Sequence, residues 1–452
     1  MMKTTKRRLE FFSFYDHTGI EAHLERMAQK GWLLEKIGNF TWHYRRIEPQ
    51  ALTFSVCYFP KASLFDPGPS EEQEMFYDFC RHTGWTLAAA SAQMQVFYNE
   101  RANPVPIDTD PALEVDAIHK SAKKSFLLSQ GLLAAVAVMN SAMFLLRLRD
   151  DPIRTLSSPA SVFLAVCWPM LFLMIGVDVG SYFWWRFRAR KAAAQGRFLE
   201  TKSHPVFQKI CLVVVMAVLL WWLFAMAGEQ SPTVAVLTGL LIAAYALSVG
   251  LVLRVRELLK RRKASAESNR AVTIAACVGL SILLTAAVPF IVINGFGYDR
   301  NAHAVHPDDP VLRMEDLMET DYDYYRNDWQ SQSPLLACFE ANQAPWKPEE
   351  IADAPSLSYT AAVVKFPPVY DVCKNHLLYE NDTRETGFQP VKCYAPIVPA
   401  PWGAQEAYQF VMDGEAITLY LLCYEDRIVK LRLDWEPAPG QMAIVGEKLG
   451  GA

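Results

Sequence analysis

Five long apolar stretches dominate the hydrophobic pattern of this chain, and all of them lie in its middle. Each contains about 20 mostly apolar residues, the length that an α-helix needs to cross a hydrocarbon core of about 30 Å. Backbone polar groups in lipid must be paired within their own segment, so helices are the expected structure. The five predicted membrane spans are residues 126–146, 160–185, 206–227, 233–253 and 271–293.

The pattern before the first span predicts short strands and helices in an order that repeats once. Each copy has a strand, a helix closed by a glycine, and a hairpin of two strands. The pairs Gly31–Trp32 and Gly84–Trp85 follow the two helices. We therefore predict an internal duplication that forms a pseudo-twofold α+β module. The predicted elements are 9–14, 20–30, 32–37 and 40–46 in the first copy, and 52–59, 71–82, 85–90 and 94–98 in the second.

The segments that flank the spans are different in character. Residues 99–111 are rich in Pro, Asn and Asp and predict a linker, and 113–125 predict a helix that continues into the first span. After the last span, residues 311–325 predict an acidic helix, and a set of strands follows with a hairpin turn at Asp413–Gly414. These strands are predicted at 357–365, 388–394, 407–412, 416–424 and 427–434.

The predicted fold class is a polytopic α-helical membrane protein with five spans, an N-terminal duplicated α+β module and a C-terminal, mainly β (α+β) domain. The predicted domain order is a cytosolic module, a linker with a juxtamembrane helix, a transmembrane block, and an acidic extracytoplasmic domain. Their boundaries are 1–100, 101–125, 126–295 and 296–452.

The distribution of Lys and Arg predicts which ends of the spans face the cytosol. Basic residues concentrate before the first span, after the second and after the fourth, and the net charge is −1 over residues 1–125, +10 over 126–295 and −13 over 296–452. With five spans, this predicts a multi-pass cell-membrane protein with a cytoplasmic N-terminus and an extracytoplasmic C-terminal domain. The arginines after the first span are a mild exception; they are Arg147, Arg149 and Arg154.

The basic residues also indicate which partners the protein is expected to bind. The clusters at 186–191 and 260–263 would attract anionic lipid at about 1 kcal/mol per basic residue, although basic residues that only determine topology look the same. Neither soluble part has the concentrated basic face of a nucleic-acid binder, so no nucleic acid is expected. The expected partners are the lipid bilayer, anionic lipid at the basic loops, and a partner membrane or regulatory protein.

Four of the nine cysteines lie in the predicted exterior domain, where disulfides persist. One or two bridges are therefore candidates there, in any of three pairings, and the alternative is four buried thiols in a small β domain. No C-x-x-C spacing occurs, so neither a redox nor a zinc motif is predicted. The four are Cys338, Cys373, Cys393 and Cys423.

Asp178 is the most conspicuous polar residue within the spans. A carboxylate in lipid is costly, so it indicates by default a proton or cation site or a partner for a neighbouring helix. It lies close to the basic end of its span, where it can reach the headgroups or pair with Arg186, and this favours a structural role. Gly176 and Gly180 flank it in a G-x-x-x-G spacing that allows two helices to pack closely, within the bundle or in a dimer.

The N-terminal module combines an aromatic strand, a short acidic helix and a Gly-Trp pair. The residues concerned are Phe12-Ser13-Phe14-Tyr15-Asp16, Gly19-Ile20-Glu21, Leu24, Met27-Ala28, Gly31-Trp32 and Leu34. Together they resemble the opening of an uncharacterised bacterial membrane-protein family, domain of unknown function 2812. The resemblance implies several spans after the module, a bacterial cell membrane, a gene often beside PadR-type regulators, and a place in an envelope-response circuit. It implies no activity and no site residues.

No catalytic motif indicates an enzyme. The phosphate-binding loop, the nucleophile elbow and the H-E-x-x-H helix are all missing from the sequence. Two metal-like groups have no recognised ligand spacing, so no metal or cofactor is expected; they are His303, His306, Asp308 and Asp309, and Asp321 with Asp323.

A soluble part on each side of five weakly polar spans favours a sensory or regulatory membrane protein that couples the exterior domain to the cytosolic module. A transporter or export accessory subunit is one alternative, and a membrane scaffold that binds partner proteins is another.

Overall fold

The structure is a computed structural model of the 452-residue chain. It divides into two compact units, which are considered separately: one contains Met1–Met139, Trp168–Met216 and Leu241–Pro289, and the other contains Asn140–Cys167, Ala217–Leu240 and Phe290–Ala452. The residues described are 4–38, 41–202, 204–229, 232–295, 311–319, 324–345, 355–384 and 390–451.

The first unit begins with two small antiparallel sheets, each accompanied by one helix. The strand orders are β1-β3-β2 and β4-β6-β5, so both halves place the third strand between the other two. The elements are β1 Thr5–Arg8, α1 His17–Gln29, β2 Trp32–Ile37, β3 Trp42–Arg46, β4 Thr53–Tyr58, α2 Glu71–His82, β5 Thr86–Ser91 and β6 Met94–Asn99.

The two halves also agree in local detail. Gly31 and Gly84 have positive φ, +77° and +91°, directly after the helices, where a residue with a side chain would be strained. Each hairpin shifts register three residues later, after Leu34 in the first half and after Leu87 in the second. The repeated topology is therefore present; a duplication as its origin stays a prediction.

The predicted strand at 9–14 is wrong, because the strand lies earlier, at β1. Phe12 and Phe14 have the alternating pattern of a strand, but they lie outside the sheet and pack against other elements. The ring of Phe12 lies 5.7 Å from that of Trp42, and the ring of Phe14 stacks 6.0 Å from that of Phe126 at the start of the first span.

Helix α3, Pro111–Lys124, belongs to the core of the module. Asp110 caps its first turn, with Oδ1 accepting the Ala112 N–H at 2.8 Å. Its buried residues Val115, Ile118 and Ala122 pack in the same cluster as α1 and the two sheets. Residues 101–125, predicted as a linker and a juxtamembrane helix, therefore contain a helix that packs in the core of the module.

The five predicted apolar helices are confirmed. They are long and apolar enough to cross a membrane, and at most 6% of the residues in their most apolar windows are buried within the described chain, as expected for side chains that face lipid. A short helix, α5, joins the first two. The bounds are α4 Phe126–Asp150, α5 Pro152–Ser157, α6 Pro159–Ala193, α7 Pro205–Glu229, α8 Pro232–Arg261 and α9 Ala266–Gly295.

The second unit contains a seven-stranded antiparallel sheet in the described residues, in the order β10-β11-β12-β13-β9-β8-β7. Helix α12 covers one face, and α11 and α5 cover the other. Leu421 and Leu422 on one strand enter the two opposite cores, as the period of two requires. The elements are α10 Met314–Leu317, β7 Tyr324–Gln332, β8 Leu336–Pro345, β9 Leu357–Val364, α11 Tyr370–Tyr379, β10 Lys392–Ile397, β11 Glu406–Met412, β12 Glu415–Cys423, β13 Arg427–Leu433 and α12 Pro439–Gly450.

Two sequence predictions for this domain have different outcomes. The hairpin at Asp413–Gly414 is confirmed, with φ of +51° and +87°. The helix at 311–325 is wrong: within the described residues 311–319 and 324–325 only α10 is helical, and Tyr324 begins a strand that pairs with β8 along its whole length. Tertiary pairing has overridden the acidic helical pattern.

Candidate functional site

The segment that joins β1 to α1 packs against the C-terminal half of α6. Tyr15 is completely buried, and its ring lies 5.4 Å from Tyr182 and 5.6 Å from Trp185. Phe126 contacts Tyr182 at 5.8 Å, so the first span joins the same cluster. Edge-to-face and tilted contacts of this kind stabilise a buried aromatic cluster. The core of the module therefore extends onto the ends of two spans.

Asp178 is part of this contact. The hydroxyl of buried Ser13 donates a hydrogen bond to Asp178 Oδ1, which lies one turn before Tyr182 on α6. The sequence proposed Arg186 or the headgroups as its partner, whereas the structure provides a side chain from the module. A role as a proton or cation site stays a prediction.

A pair of threonines ties the loop after α6 to the start of α1. The Thr18 N–H donates to Thr201 Oγ1 at 3.2 Å, and the Thr201 N–H donates to Thr18 Oγ1 at 2.9 Å. The Thr201 hydroxyl also donates to Asp16 Oδ1 at 2.8 Å, and the Asp16 side chain is almost fully buried. Buried polar groups are stable only when paired, so each side of this contact satisfies the other. We call the residues of this contact, Ser13 to Glu21 with Glu114, Asp178, Tyr182, Trp185 and Thr201, the junction.

His17 is the buried histidine of the junction. Its Nε2 lies 2.9 Å from Glu114 Oε1, and its Nδ1 lies 3.2 Å from the carbonyl oxygen of Tyr15. Both neighbours are acceptors, which only the doubly protonated ring can satisfy. Burial lowers the pKa of His17, but the hydrogen bond and charge of Glu114, with the charge of Glu21, outweigh it and raise the pKa above its ordinary value.

Glu21 is the second unusual group. Its Oε1 accepts the Val56 N–H at 2.8 Å, which links α1 to β4. Burial raises the pKa of Glu21 to about 7, although His17 and the Val56 N–H act in the opposite direction. Burial and then the charge of Glu114 also raise the pKa of Asp108, on the segment before α3. The junction can therefore gain or lose a proton near neutral pH.

The short helix α5, which connects the first two spans, is held by apolar and charged contacts within the second unit. Ile153 and Leu156 of α5 are buried in the core beneath α11. Arg154 makes a two-point ion pair with Glu340 on β8, at 3.0 and 2.6 Å, and its guanidinium lies 5.5 Å from the ring of Trp329. Arg154 was one of the arginines that did not fit the predicted distribution of basic residues, and its ion pair with Glu340 gives it a structural role there.

The remaining sequence candidates are not brought into a site. Cys338, Cys373 and Cys423 are buried and Cys393 is half-buried, and all four are free thiols, as in the alternative to disulfides. Bridges among them stay a prediction for measurement.

The predicted G-x-x-x-G pair, Gly176 and Gly180, is also not part of this site. A Cβ at Gly176 or Gly180 would meet no described atom within 4 Å, so within the described chain this pair is not a close helix contact. Packing against another copy of the helix stays a prediction. No group of three potential metal ligands occurs in the described part of the chain, and the loop histidines and aspartates at 303–309, 321 and 323 lie outside it.

Five apolar helices, an α+β module docked on two of them and a separate seven-stranded domain together define a multi-pass membrane protein. Residues 16–129 match the model of a family described as "Protein of unknown function (DUF2812)", so this part of the chain is a domain of that family. The resemblance seen in the sequence is thereby confirmed, and the match includes α3. Searches of curated proteins and of solved structures give no match.

Proposed function

We propose that this protein is a sensory or regulatory membrane protein, in which the spans α4 and α6 and the short helix between them carry the state of the C-terminal domain to the N-terminal module. One observation supports this most directly. Phe126 and Tyr182 belong to the core of the module, whereas Leu148 and Ile153 belong to the core of the C-terminal domain. A helix is a rigid element, so a displacement at one end moves the other.

We also propose that the module lies in the cytosol and the C-terminal domain outside. The module contacts the basic loop after α6 through Thr201, and it contacts the first turn of α9, which follows the basic loop after α8, through Asn269. Loops rich in Lys and Arg remain in the cytosol. An odd number of spans then carries the acidic C-terminal domain to the other side.

Labelling of introduced cysteines with a membrane-impermeant thiol reagent tests this orientation. The native Cys57 and Cys80 are buried and report poorly, whereas Glu74 on α2 and Glu415 on β12 are exposed. We expect Glu415→Cys to be labelled in intact cells and Glu74→Cys only after lysis, each above the background of the parent protein. The reverse pattern would refute the orientation.

The coupling itself is tested by loosening α5 and observing the junction. Ile153→Ala removes a buried side chain at a cost of about 2–4 kcal/mol. Leu145→Ala deletes the same number of carbon atoms, three, from an exposed position on α4 and is the control. Hydrogen–deuterium exchange of the full-length protein then reports on residues 13–21 and 199–202.

We expect Ile153→Ala to increase exchange in α5 and, severalfold, in both junction segments, and Leu145→Ala to change neither. Faster exchange in α5 with an unchanged junction would contradict the coupling. The transporter and scaffold alternatives have no specific support in the described contacts, since Asp178, on which the transporter depended, bonds Ser13 of the module.

A further inference from the structure

A cavity of about 300 Å³ lies between the β4–α2 loop and the end of α8. Its volume is at the lower end of the range for sites that bind small ligands or headgroups. The wall is mostly polar and includes ionisable side chains from both elements. Its principal members are Ser63, Asp66, Tyr77, Glu257, Lys260 and Arg261.

Contacts from two helices hold the wall in place. The Asn269 side chain is fully buried, and its Nδ2 donates to the Phe65 carbonyl oxygen at 3.1 Å. Lys124 Nζ at the end of α3 donates to the Lys61 carbonyl oxygen at 3.0 Å. The β4–α2 loop is therefore fixed against the same end of the spans from two sides, so the cavity is a built feature rather than a gap beside a free loop.

The charged side chains of the wall differ in whether they are hydrogen-bonded. Asp66 Oδ2 accepts the Ser63 N–H at 2.6 Å, so this carboxylate is engaged in its own turn. Lys260 is half-buried and Arg261 is exposed, and the side chain of neither makes a hydrogen bond or ion pair with a residue in the described part of the chain, although the charges of Asp66 and Glu257 act on Lys260. Two cations at a polar cavity whose side chains form no ion pair in the described part of the chain favour an anionic ligand.

The position of the cations indicates where that ligand comes from. Lys260 and Arg261 are the last residues of the membrane-length segment Gly239–Arg261, which places them at the level of the lipid headgroups. We propose that the cavity binds the phosphate group of a phospholipid headgroup, with Lys260 and Arg261 as its anion contacts and the polar wall around the rest of the headgroup. This site is independent of the function proposed above.

Binding of short-chain lipids to the full-length protein in detergent, followed by native mass spectrometry, tests the proposal. The probes are dioctanoyl phosphatidylglycerol, dioctanoylglycerol, which lacks the phosphate, and inorganic phosphate. We expect saturable binding of the phospholipid only. Equal binding of dioctanoylglycerol would show an apolar contact, and binding of inorganic phosphate that excludes the lipid would show a soluble ligand; each result would overturn the proposal.

Matched double variants separate this site from general surface charge. Lys260→Gln with Arg261→Gln removes both cavity cations, and Arg262→Gln with Arg270→Gln removes two exposed charges from the same region. We expect about 30-fold weaker binding in the first pair, the equivalent of about 2 kcal/mol at about 1.4 kcal/mol per tenfold, and less than about threefold in the second.

Equal weakening of lipid binding in both double variants would mean that general surface charge attracts the lipid, and it would refute the proposed site. Lys260→Arg keeps the charge and should keep the binding. Loss of binding in Lys260→Arg, in protein that elutes normally from size exclusion, would also contradict the assigned contact.

Discussion

Replacing Glu21 by Gln should remove the contribution of this carboxyl to the pH dependence of the module's stability between pH 5 and pH 8. The pKa of Glu21 in the folded protein is about 7, above the ordinary value of 4.5, because the side chain is buried. Between these two values the folded state holds a proton that the unfolded state has lost. The stability of the wild-type module therefore falls as the pH rises from about 4.5 to about 7.

The size of the effect follows from the same shift. Each pH unit within this window costs about 1.4 kcal/mol, so the 2.5 units between 4.5 and 7 amount to about 3 kcal/mol. Glutamine has no proton to lose and keeps an oxygen that can accept the Val56 N–H. At pH 8 the variant should thus be more stable than the wild type by about 3 kcal/mol, and at pH 5 the two should differ by less than 1 kcal/mol.

Hydrogen–deuterium exchange at single sites is the suitable assay, because a multidomain membrane protein does not unfold in one step. The reporter is the segment Thr53–Tyr58, which contains the amide bonded to Glu21. Comparing variant and wild type at the same pH cancels the intrinsic exchange rate. We expect the variant to exchange about a hundredfold more slowly at pH 8 and within about threefold of the wild type at pH 5.

Glu35→Gln is the matched control, because it makes the same chemical change at an exposed position on β2. It should leave the ratio near one at every pH. A ratio for Glu21→Gln that does not change with pH would refute the assignment of a buried, protonated carboxyl to this position. A ratio that rises in the opposite direction would mean that Glu21 is stabilised as the anion.

Three further results are expected. Glu114→Gln leaves His17 without its charged partner and should cost about 2–4 kcal/mol near pH 6. Because the raised pKa of His17 gives stability that is lost as the pH rises through it, the cost should shrink in alkaline buffer, as hydrogen–deuterium exchange of residues 13–21 at pH 6 and in alkaline buffer would show. Asp178→Asn keeps an acceptor for the module's serine and should preserve protection of the junction, whereas Asp178→Leu should weaken it, measured by proteolysis of the full-length protein. Gly19→Ala would force a methyl group into the Asp16 carboxylate and should destabilise the module by about 1–3 kcal/mol, seen as faster hydrogen–deuterium exchange of residues 13–21; unchanged exchange would contradict that packing.

The sequence was sufficient for features that arise from local pattern. Apolar runs of membrane length located all five helices, and the glycines at 31 and 84 located the ends of α1 and α2 correctly. The hairpin turn at Asp413–Gly414 was also found, since both residues accept positive φ. In each case the signal lies within a few residues of the feature it predicts.

The failures occur where distant parts of the chain decide the outcome. Phe12 and Phe14 have the alternation of a strand, but their partners lie on another strand and on the first span. The acidic segment before Tyr324 has helical spacing, but the chain beyond it pairs with β8. A local pattern cannot show that a better tertiary partner exists elsewhere.

The junction was missed for the same reason, although one signal was available. Thr201 is separated from Thr18 by 183 positions, and no local pattern relates them. However, His17 and Glu21 are one turn apart on a helix that is otherwise anchored by Ile20 and Leu24. Polar residues beside an apolar stripe must find partners when the helix is buried, and that requirement predicts a polar contact even though it cannot name it.

The family domain ends before the second span, but the junction extends onto that span. The match begins at Asp16 and ends at residue 129, within the first turn of α4, yet Asp16 and the adjoining Tyr15 have their partners on α6 and the loop that follows it. A fragment that ended after α3 would leave a large aromatic ring without its cover and a buried carboxylate without its hydrogen bond, and an unsatisfied group of this kind costs about 1–3 kcal/mol. In this chain the domain is therefore completed by the second span. Because residues of that span are part of the module's own core, the coupling proposed above would need no separate messenger between the span and the module.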